Sequence, residues 1–175
     1  MVAADLSLGY RISDTLLLNL VAEVYDYDSV FKDVYGIAPI EEGLGLTLDY
    51  DNNGWDIYGT INWVGSKNLA SYGYEGYNEI DDNGYIIEES AKTATAPSYF
   101  TLDFRVAKEF SETWSAYLGV NNALDYTQAD DEDSPLFWVA GEEDNVGIQN
   151  DAFDVTYIFG PLRGREVYAG FSYNF

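Results

Sequence analysis

The sequence predicts an all-β fold: an antiparallel transmembrane β-barrel fragment of about seven strands, with short periplasmic turns and long acidic extracellular loops. Three observations predict it. Apolar and polar residues alternate with a period of two along most of the chain, which is typical of strands with two unlike faces. The alternating segments are close to the length, about 9–11 residues, that crosses a bilayer as a tilted strand. Tight and long connections alternate strictly between these segments, as they do in bacterial outer-membrane barrels.

Each alternating segment has one apolar face and one polar face. The segments are residues 5–12, 16–25, 43–50, 55–63, 100–107, 114–121 and 166–175. Their apolar faces carry, in order, Leu6, Leu8, Tyr10 and Ile12; Leu16, Leu18, Leu20, Ala22 and Val24; Leu44, Leu46, Leu48 and Tyr50; Trp55, Ile57, Ile61 and Trp63; Phe100, Leu102, Phe104 and Val106; Trp114, Ala116, Leu118 and Val120; and Val167, Ala169, Phe171, Tyr173 and Phe175. Aromatic residues at the ends of these stripes resemble the interface girdles of barrels. A soluble sandwich with its apolar face inside is the alternative that alternation alone leaves open.

The connections differ in length and in charge. The tight ones are Ser13–Asp14, Asp51–Gly54 and Ser111–Thr113, and the long ones are about residues 26–41, 66–97 and 125–162. Asn53-Gly54 is a strong hairpin signal, and Thr60 stands where an EF-hand loop would need its final Glu, so this stretch predicts a turn. The acidic run Asp130–Asp133 is the calcium candidate, with a solvated surface as the alternative.

The composition excludes several classes of function. The chain has 175 residues and a net charge of −23, and such an acidic surface repels the phosphates of a nucleic acid. It contains neither His nor Cys, which removes Ser–His–Asp and Cys–His nucleophiles, histidine metal sites and disulfides. We therefore expect no enzyme and no resident cofactor, with calcium bound by oxygen ligands as the one exception left open.

The strand count predicts either a further strand that alternation does not reveal or a chain that is part of a larger barrel. Seven is odd, whereas single-chain bacterial barrels have an even number of strands. Open strand edges are costly in lipid because each unpaired backbone group there costs several kcal/mol. The stretch Met1–Asp5 has neither the basic nor the apolar region of a signal peptide. We therefore expect residues 1–175 to be the C-terminal part of a longer protein.

Four stretches of the C-terminal half resemble TonB-dependent outer-membrane receptors. They are Ser98–Arg105, similar to the antepenultimate strand; Leu118–Tyr126, similar to a "GVxNLFDY" segment; Phe159–Arg165, similar to a "GPLRGR" stretch; and Val167–Phe175, similar to the closing strand. Ala123 and Leu124 stand where Leu and Phe are more usual. The match covers about residues 98–175, whereas residues 1–97 fit by pattern only.

The resemblance implies a barrel of about 22 strands, closed by an N-terminal plug and energised by the inner-membrane TonB complex. The ligand would be a ferric siderophore, haem, cobalamin or an oligosaccharide. This sequence contains no plug domain, so the plug, the remaining strands and, through them, the TonB complex are its expected partners. A self-contained small outer-membrane barrel with an adhesin or structural role is the main alternative. An outer-membrane hydrolase and a soluble carbohydrate-binding domain are further alternatives.

Three sets of residues are candidates for function in the bacterial outer membrane. The sets are Phe171, Tyr173 and Phe175 on the last strand; Glu23, Asp49, Asp56, Asp103, Arg105 and Tyr117 with inward parity; and Arg163 and Arg165 at the extracellular rim. The resemblance implies that the barrel-assembly machinery reads the first set, which also suits an aromatic girdle. The second set would line the lumen or contact the plug, with a solvated lumen and no specific role as the alternative. Asp103 and Arg105 are one inward step apart and could pair with each other. The two rim arginines would bind lipopolysaccharide phosphates or pair with acidic loops.

Overall fold

A computed structural model describes residues 1–28, 30, 40–68, 95–128, 137–139, 151–153 and 159–174. These residues form eleven strands, β1 to β11. They are β1 (Val2–Ser13), β2 (Leu16–Asp26), β3 (Glu42–Asn52), β4 (Trp55–Val64), β5 (Lys67–Asn68), β6 (Thr95–Ala96), β7 (Tyr99–Glu109), β8 (Trp114–Asn121), β9 (Phe137–Val139), β10 (Asp151–Phe153) and β11 (Glu166–Tyr173). Within these ranges, no helix is both long enough and apolar enough to cross a membrane.

Seven strands form one antiparallel sheet in the order β1-β2-β3-β4-β7-β8-β11. All seven predicted strands are present, and each pairs with the next one along the chain. Two small two-stranded sheets, β5-β6 and β9-β10, were not predicted from the sequence. Their strands have only two or three residues, too few for alternation to be recognised. Among the residues described, β1 and β11 are the two edges of the large sheet.

The tight connections all lie at one end of the sheet and the long ones at the other. At the tight end, Asn53 and Gly54 both have positive φ, at 50° and 73°. Two such residues make the hairpin turn that matches strand twist, so the predicted turn between β3 and β4 is confirmed. Gly54 is required there for a second reason, because a Cβ would lie 3.0 Å from the backbone oxygen of Glu109.

The register of the strands assembles the apolar stripes into one continuous face. Leu46 on β3, for example, lies between Leu20 on β2 and Ile61 on β4. This face is open to the surroundings, with Leu118 58% and Phe171 80% exposed. Water disfavours an apolar face that spans seven strands, whereas bilayer hydrocarbon accepts it. The alternative of a sandwich with this face inside is therefore wrong for the sheet as described.

Candidate functional site

Burial is concentrated at the end of the sheet that carries the long connections. Apart from the glycines Gly65 and Gly119, the buried residues of the described chain are Val64, Lys67, Ala96, Asn122, Gln128 and Phe159, and we call these six the loop-base core. It joins the connection between β4 and β7 to the connection between β8 and β11. Half of its members are polar. Hydrogen bonds are made by Lys67 Nζ, Asn122 Nδ2 and Gln128 Oε1, whereas the buried Asn122 Oδ1 has no partner among the described residues.

Gln128 closes the connection between β8 and β11. Its side chain is fully buried, and its Oε1 accepts hydrogen bonds from the backbone N–H groups of Phe159 at 2.9 Å and Gly160 at 3.2 Å. Its own N–H donates to the carbonyl of Pro161 at 2.9 Å. One residue therefore holds the two ends of residues 129–158 together.

Lys67 links the connection between β4 and β7 to Phe159, the residue that Gln128 also contacts. Its ammonium group is buried and donates to the carbonyl oxygen of Phe159 at 3.2 Å. Burial lowers the pKa of Lys67 from its ordinary 10.5, and the negative charge of Glu41 opposes that shift. The bases of the two long connections thus meet through one donor and one backbone carbonyl.

Asn122 organises the stretch that follows β8. It has a φ of 48°, and its side-chain N–H₂ donates to the carbonyls of Tyr126 at 2.7 Å and Arg163 at 3.1 Å. Its backbone N–H donates to Asp103 Oδ1 at 2.8 Å. The Tyr126 ring stacks on Tyr99 with 4.9 Å between centroids. Two stretches singled out by the resemblance, residues 118–126 and 159–165, are therefore in direct contact.

Sequence reasoning did not identify the loop-base core. Lys67 and Gln128 lie in connections without periodicity, where a lone polar residue carries no signal of burial. Asn122 lay inside a quoted motif, yet nothing in the motif revealed which carbonyls its amide would contact.

The predicted inward-facing set does share one face, opposite the apolar one. Its members are Glu23, Asp49, Asp56, Asp103, Arg105 and Tyr117. The structure brings three of them together: Arg105 Nη1 lies 3.1 Å from Asp56 Oδ1, and its guanidinium carbon lies 5.5 Å from the Tyr117 ring centroid.

Asp103 and Arg105 do not form the pair that their spacing allowed, because Arg105 pairs with Asp56. Side chains two residues apart on one strand stand parallel and about 6–7 Å apart. A long side chain more readily reaches the diagonal position on the neighbouring strand, which is where Asp56 lies relative to Arg105. Asp103 instead accepts the N–H of Asn122, so it belongs to the loop base.

Two tyrosines cover two glycines on the same polar face. Tyr117 of β8 lies over Gly170 of β11, and Tyr168 of β11 lies over Gly119 of β8. A Cβ at either glycine would collide with the ring that covers it. The two rings lie 6.3 Å apart between centroids and give this part of the face an aromatic surface.

Both rim arginines have acidic partners, as one of the two readings of the sequence predicted. Arg163 Nη1 lies 3.5 Å from Glu166 Oε1, and Arg165 Nη2 lies 4.0 Å from Asp125 Oδ2. Arg165 also donates from Nε to the carbonyl of Ala123 at 3.0 Å. Contact with lipopolysaccharide stays a prediction, and the Arg163 side chain remains 85% exposed.

The remaining candidates are only partly described. Phe171 and Tyr173 lie exposed on the apolar face, whereas Phe175 lies outside the described residues. Their role in assembly stays a prediction. The acidic run at residues 130–133 also lies outside the described residues, so the calcium prediction is untested. In the part of the chain that is described, no group of three or more carboxylates is arranged to hold a metal.

A sheet with one apolar face, one polar face and all its long connections at one end has the architecture of the wall of a transmembrane β-barrel. Two solved structures agree with this class. Both are variants of the ferric enterobactin receptor PfeA from Pseudomonas aeruginosa. The first matches with a TM-score of 0.60 and 18% identity over 98% of this chain and 22% of the receptor. The second matches with a TM-score of 0.58 and 17% identity over 97% of this chain and 21% of the receptor.

At this level of identity the likeness concerns the fold alone. The chain has the fold of a segment of a TonB-dependent receptor barrel, which confirms the predicted fold class and the predicted resemblance. The chain spans only 22% of the length of the receptor it matches. No protein-family model and no curated protein matches it.

Proposed function

We propose that this chain is part of a TonB-dependent receptor in the bacterial outer membrane, a transport component rather than an enzyme. The observation that carries the proposal is the seven-stranded sheet with two unlike faces, whose fold follows the receptor barrel over 98% of the chain. The ligand class is a ferric siderophore, haem, cobalamin or an oligosaccharide. A bare anion is disfavoured, because the net charge of −23 repels it unless a metal or local cation offsets that charge.

The two faces suggest how the segment sits in the membrane. The apolar face lies against lipid, and the face with Arg105, Asp56 and Tyr117 lines the lumen or contacts the plug. The tight turns lie in the periplasm and the long connections outside the cell. The loop-base core holds the bases of two of those extracellular connections together.

The open edges support a larger barrel. The edge strands β1 and β11 are separated by five other strands in the sheet as described. Unpaired backbone groups of such edges cost several kcal/mol each in hydrocarbon. We propose that residues 1–175 form the C-terminal segment of the receptor, that further strands complete the barrel, and that the plug and the TonB complex act through the remainder. A self-contained small barrel would instead require β1 to pair with β11.

Two neighbouring residues on β8 test the membrane orientation. Tyr117 and Leu118 point to opposite faces and are 38% and 58% exposed, and the segment has no native cysteine. Each is replaced by Cys in the full-length protein, spin-labelled and reconstituted in lipid. We expect the Leu118→Cys label to collide mainly with O₂, which dissolves in hydrocarbon, and the Tyr117→Cys label mainly with a water-soluble nickel complex. Equal accessibility at the two positions would reject the proposed orientation.

Uptake measurements test the receptor function. Cells that carry the full-length protein as their sole receptor are offered a labelled ferric siderophore, haem, cobalamin or oligosaccharide. We expect accumulation of one of these ligands and its loss when the TonB complex is disabled. Accumulation that does not depend on the TonB complex would contradict the proposal, as would the absence of uptake for all four classes.

A further inference from the structure

Charge on the apolar face of the sheet is distributed unevenly. Within the seven strands described, the charged residues with outward parity are Asp26 and Glu42 near the long connections and Lys108 near the tight turns. Lys108 lies among aromatic side chains that we call the turn-end belt. The belt comprises Tyr50, Trp55, Phe110, Trp114 and Tyr173.

The ammonium of Lys108 is held in place rather than extended. On the sheet, Lys108 lies between Trp55 of β4 and Ala116 of β8. Its Nζ donates to the carbonyl oxygen of Asn53 at 2.6 Å and lies 4.9 Å from the centroid of the Trp55 ring. The side chain therefore bends along the strand toward the turn and away from the apolar centre of the face. One of the three ammonium hydrogens is used by Asn53, and two remain for an outside acceptor.

Lys108 differs from three other cations of the chain. Arg105, Arg163 and Arg165 each have a carboxylate within 4.0 Å. No described carboxylate comes that close to Lys108, although the chain has 31 acidic residues. A cation at the edge of the hydrocarbon is stabilised by an anion at the same depth, and the lipid headgroups supply phosphate there.

We propose that Lys108 and the Trp55 and Trp114 rings bind the phosphate region of an anionic phospholipid in the periplasmic leaflet. The ammonium contacts the phosphodiester, and the aromatic rings pack against the glycerol and the first acyl carbons. The contacts with Asn53 and Trp55 position the ammonium group for this interaction in the absence of lipid. The inference rests on the proposed membrane orientation, because it places the tight turns at the periplasmic surface.

Lipid binding to the full-length protein in detergent tests this site. Native mass spectrometry is used to compare phosphatidylglycerol with a diacylglycerol that has the same acyl chains and no phosphate. We expect retained phosphatidylglycerol and little diacylglycerol. Lys108→Gln should weaken phosphatidylglycerol binding about tenfold or more, because a hydrogen bond between a charged donor and the phosphate is lost, whereas Lys108→Arg should retain most of the binding. The matched control is Arg11→Gln, which removes a cation from the polar face at the same end of the sheet and should leave binding unchanged.

The outcomes separate this inference from the proposed function. Equal binding of the two lipids by the unaltered protein would overturn the site without recourse to any variant. Unchanged binding by a folded Lys108→Gln protein, or an equal loss in Arg11→Gln, would overturn it as well. Displacement of the lipid by inorganic phosphate alone would indicate a simple anion site and also reject it. If the spin labels on β8 report hydrocarbon contact while these lipid results fail, only this inference is lost; if the labels fail, the proposed function itself is rejected.

Discussion

The seven-stranded wall leaves both of its faces open, whereas the loop-base core buries its few members almost completely. In the wall, ladder hydrogen bonds join the strands, and residues such as Leu118 and Phe171 project outward without a packed partner. In the core, Gln128 is fully buried and joins backbone groups more than 30 residues away in the chain. The two regions are stabilised in different ways within one short chain.

The difference follows from what surrounds each region. In the proposed membrane orientation lipid takes the place of a protein core for the wall, so an outward side chain there needs only to be apolar. The loop base is surrounded by protein, so each polar atom in it must find a partner or cost the free energy of an unmet hydrogen bond. Substitutions should therefore have small effects over most of the wall and large effects in the loop-base core.

The largest expected effect is at Gln128. Gln128→Ala removes the acceptor of the buried Phe159 N–H and the part-buried Gly160 N–H, which should lower the free energy of unfolding by about 2–4 kcal/mol. Urea unfolding of the protein in detergent measures the loss, and hydrogen exchange should accelerate at these two amides. Asn121→Ala, which removes an exposed amide at the end of β8, is the control and should change little. Equal losses of stability in the two variants would contradict the expected difference between the core and the wall.

Glycine substitutions test the part of the wall where tyrosine rings pack directly on glycines. Gly119→Ala places a Cβ against the Tyr168 ring and should destabilise the protein by about 1–3 kcal/mol. Adding Tyr168→Ala should recover part of the loss, because the collision disappears. Gly59→Ala is the control, since its Cβ would meet Phe104 only at an ordinary 3.5 Å. Additive effects of the two changes would show that the Tyr168 ring is not the reason why position 119 requires glycine.

The pH dependence of the core is a weaker effect. Because burial lowers the pKa of Lys67, the folded protein binds fewer protons than the unfolded chain between that lowered pKa and 10.5. The free energy of unfolding should therefore rise with pH across this window. Lys67→Met should lack this rise, and the difference between the two titrations removes the contribution of other groups. A difference that falls as pH rises would contradict the assigned direction.

The smallest expected effect is at the Asp56–Arg105 pair. Its side chains are 56% and 39% exposed, so water and salt screen the attraction. A double-mutant cycle with Asp56→Asn and Arg105→Met should give a coupling of about 0.2–1 kcal/mol that declines with added salt. A coupling that exceeds this range and resists salt would mean that this face is dry, and the distinction between wall and core would need revision.

Local pattern was sufficient for the wall. A strand is recognised from neighbours two residues apart, and a hairpin such as Asn53-Gly54 from the few residues that tolerate positive φ. Both signals lie within about ten residues of chain. The seven strands, the turn between β3 and β4 and the shared face of the inward-facing set were therefore predicted correctly.

Contacts between distant parts of the chain could not be predicted from local alternation or turn signals. Arg105 prefers Asp56 to Asp103 because the register places a diagonal neighbour within reach, and register depends on two strands at once. Lys67 and Phe159 are 92 residues apart, and their contact exists only after two long connections have met.

The alternation of the sequence assigned side chains to the apolar or to the polar face, because alternation along a strand is a local property of the backbone. Where the chain is buried, and which atoms pair with Lys67 Nζ, Asn122 Nδ2 and Gln128 Oε1, follows only from the tertiary structure. Burial at those positions is produced by segments that approach from far apart in the chain, and no local periodicity records that approach.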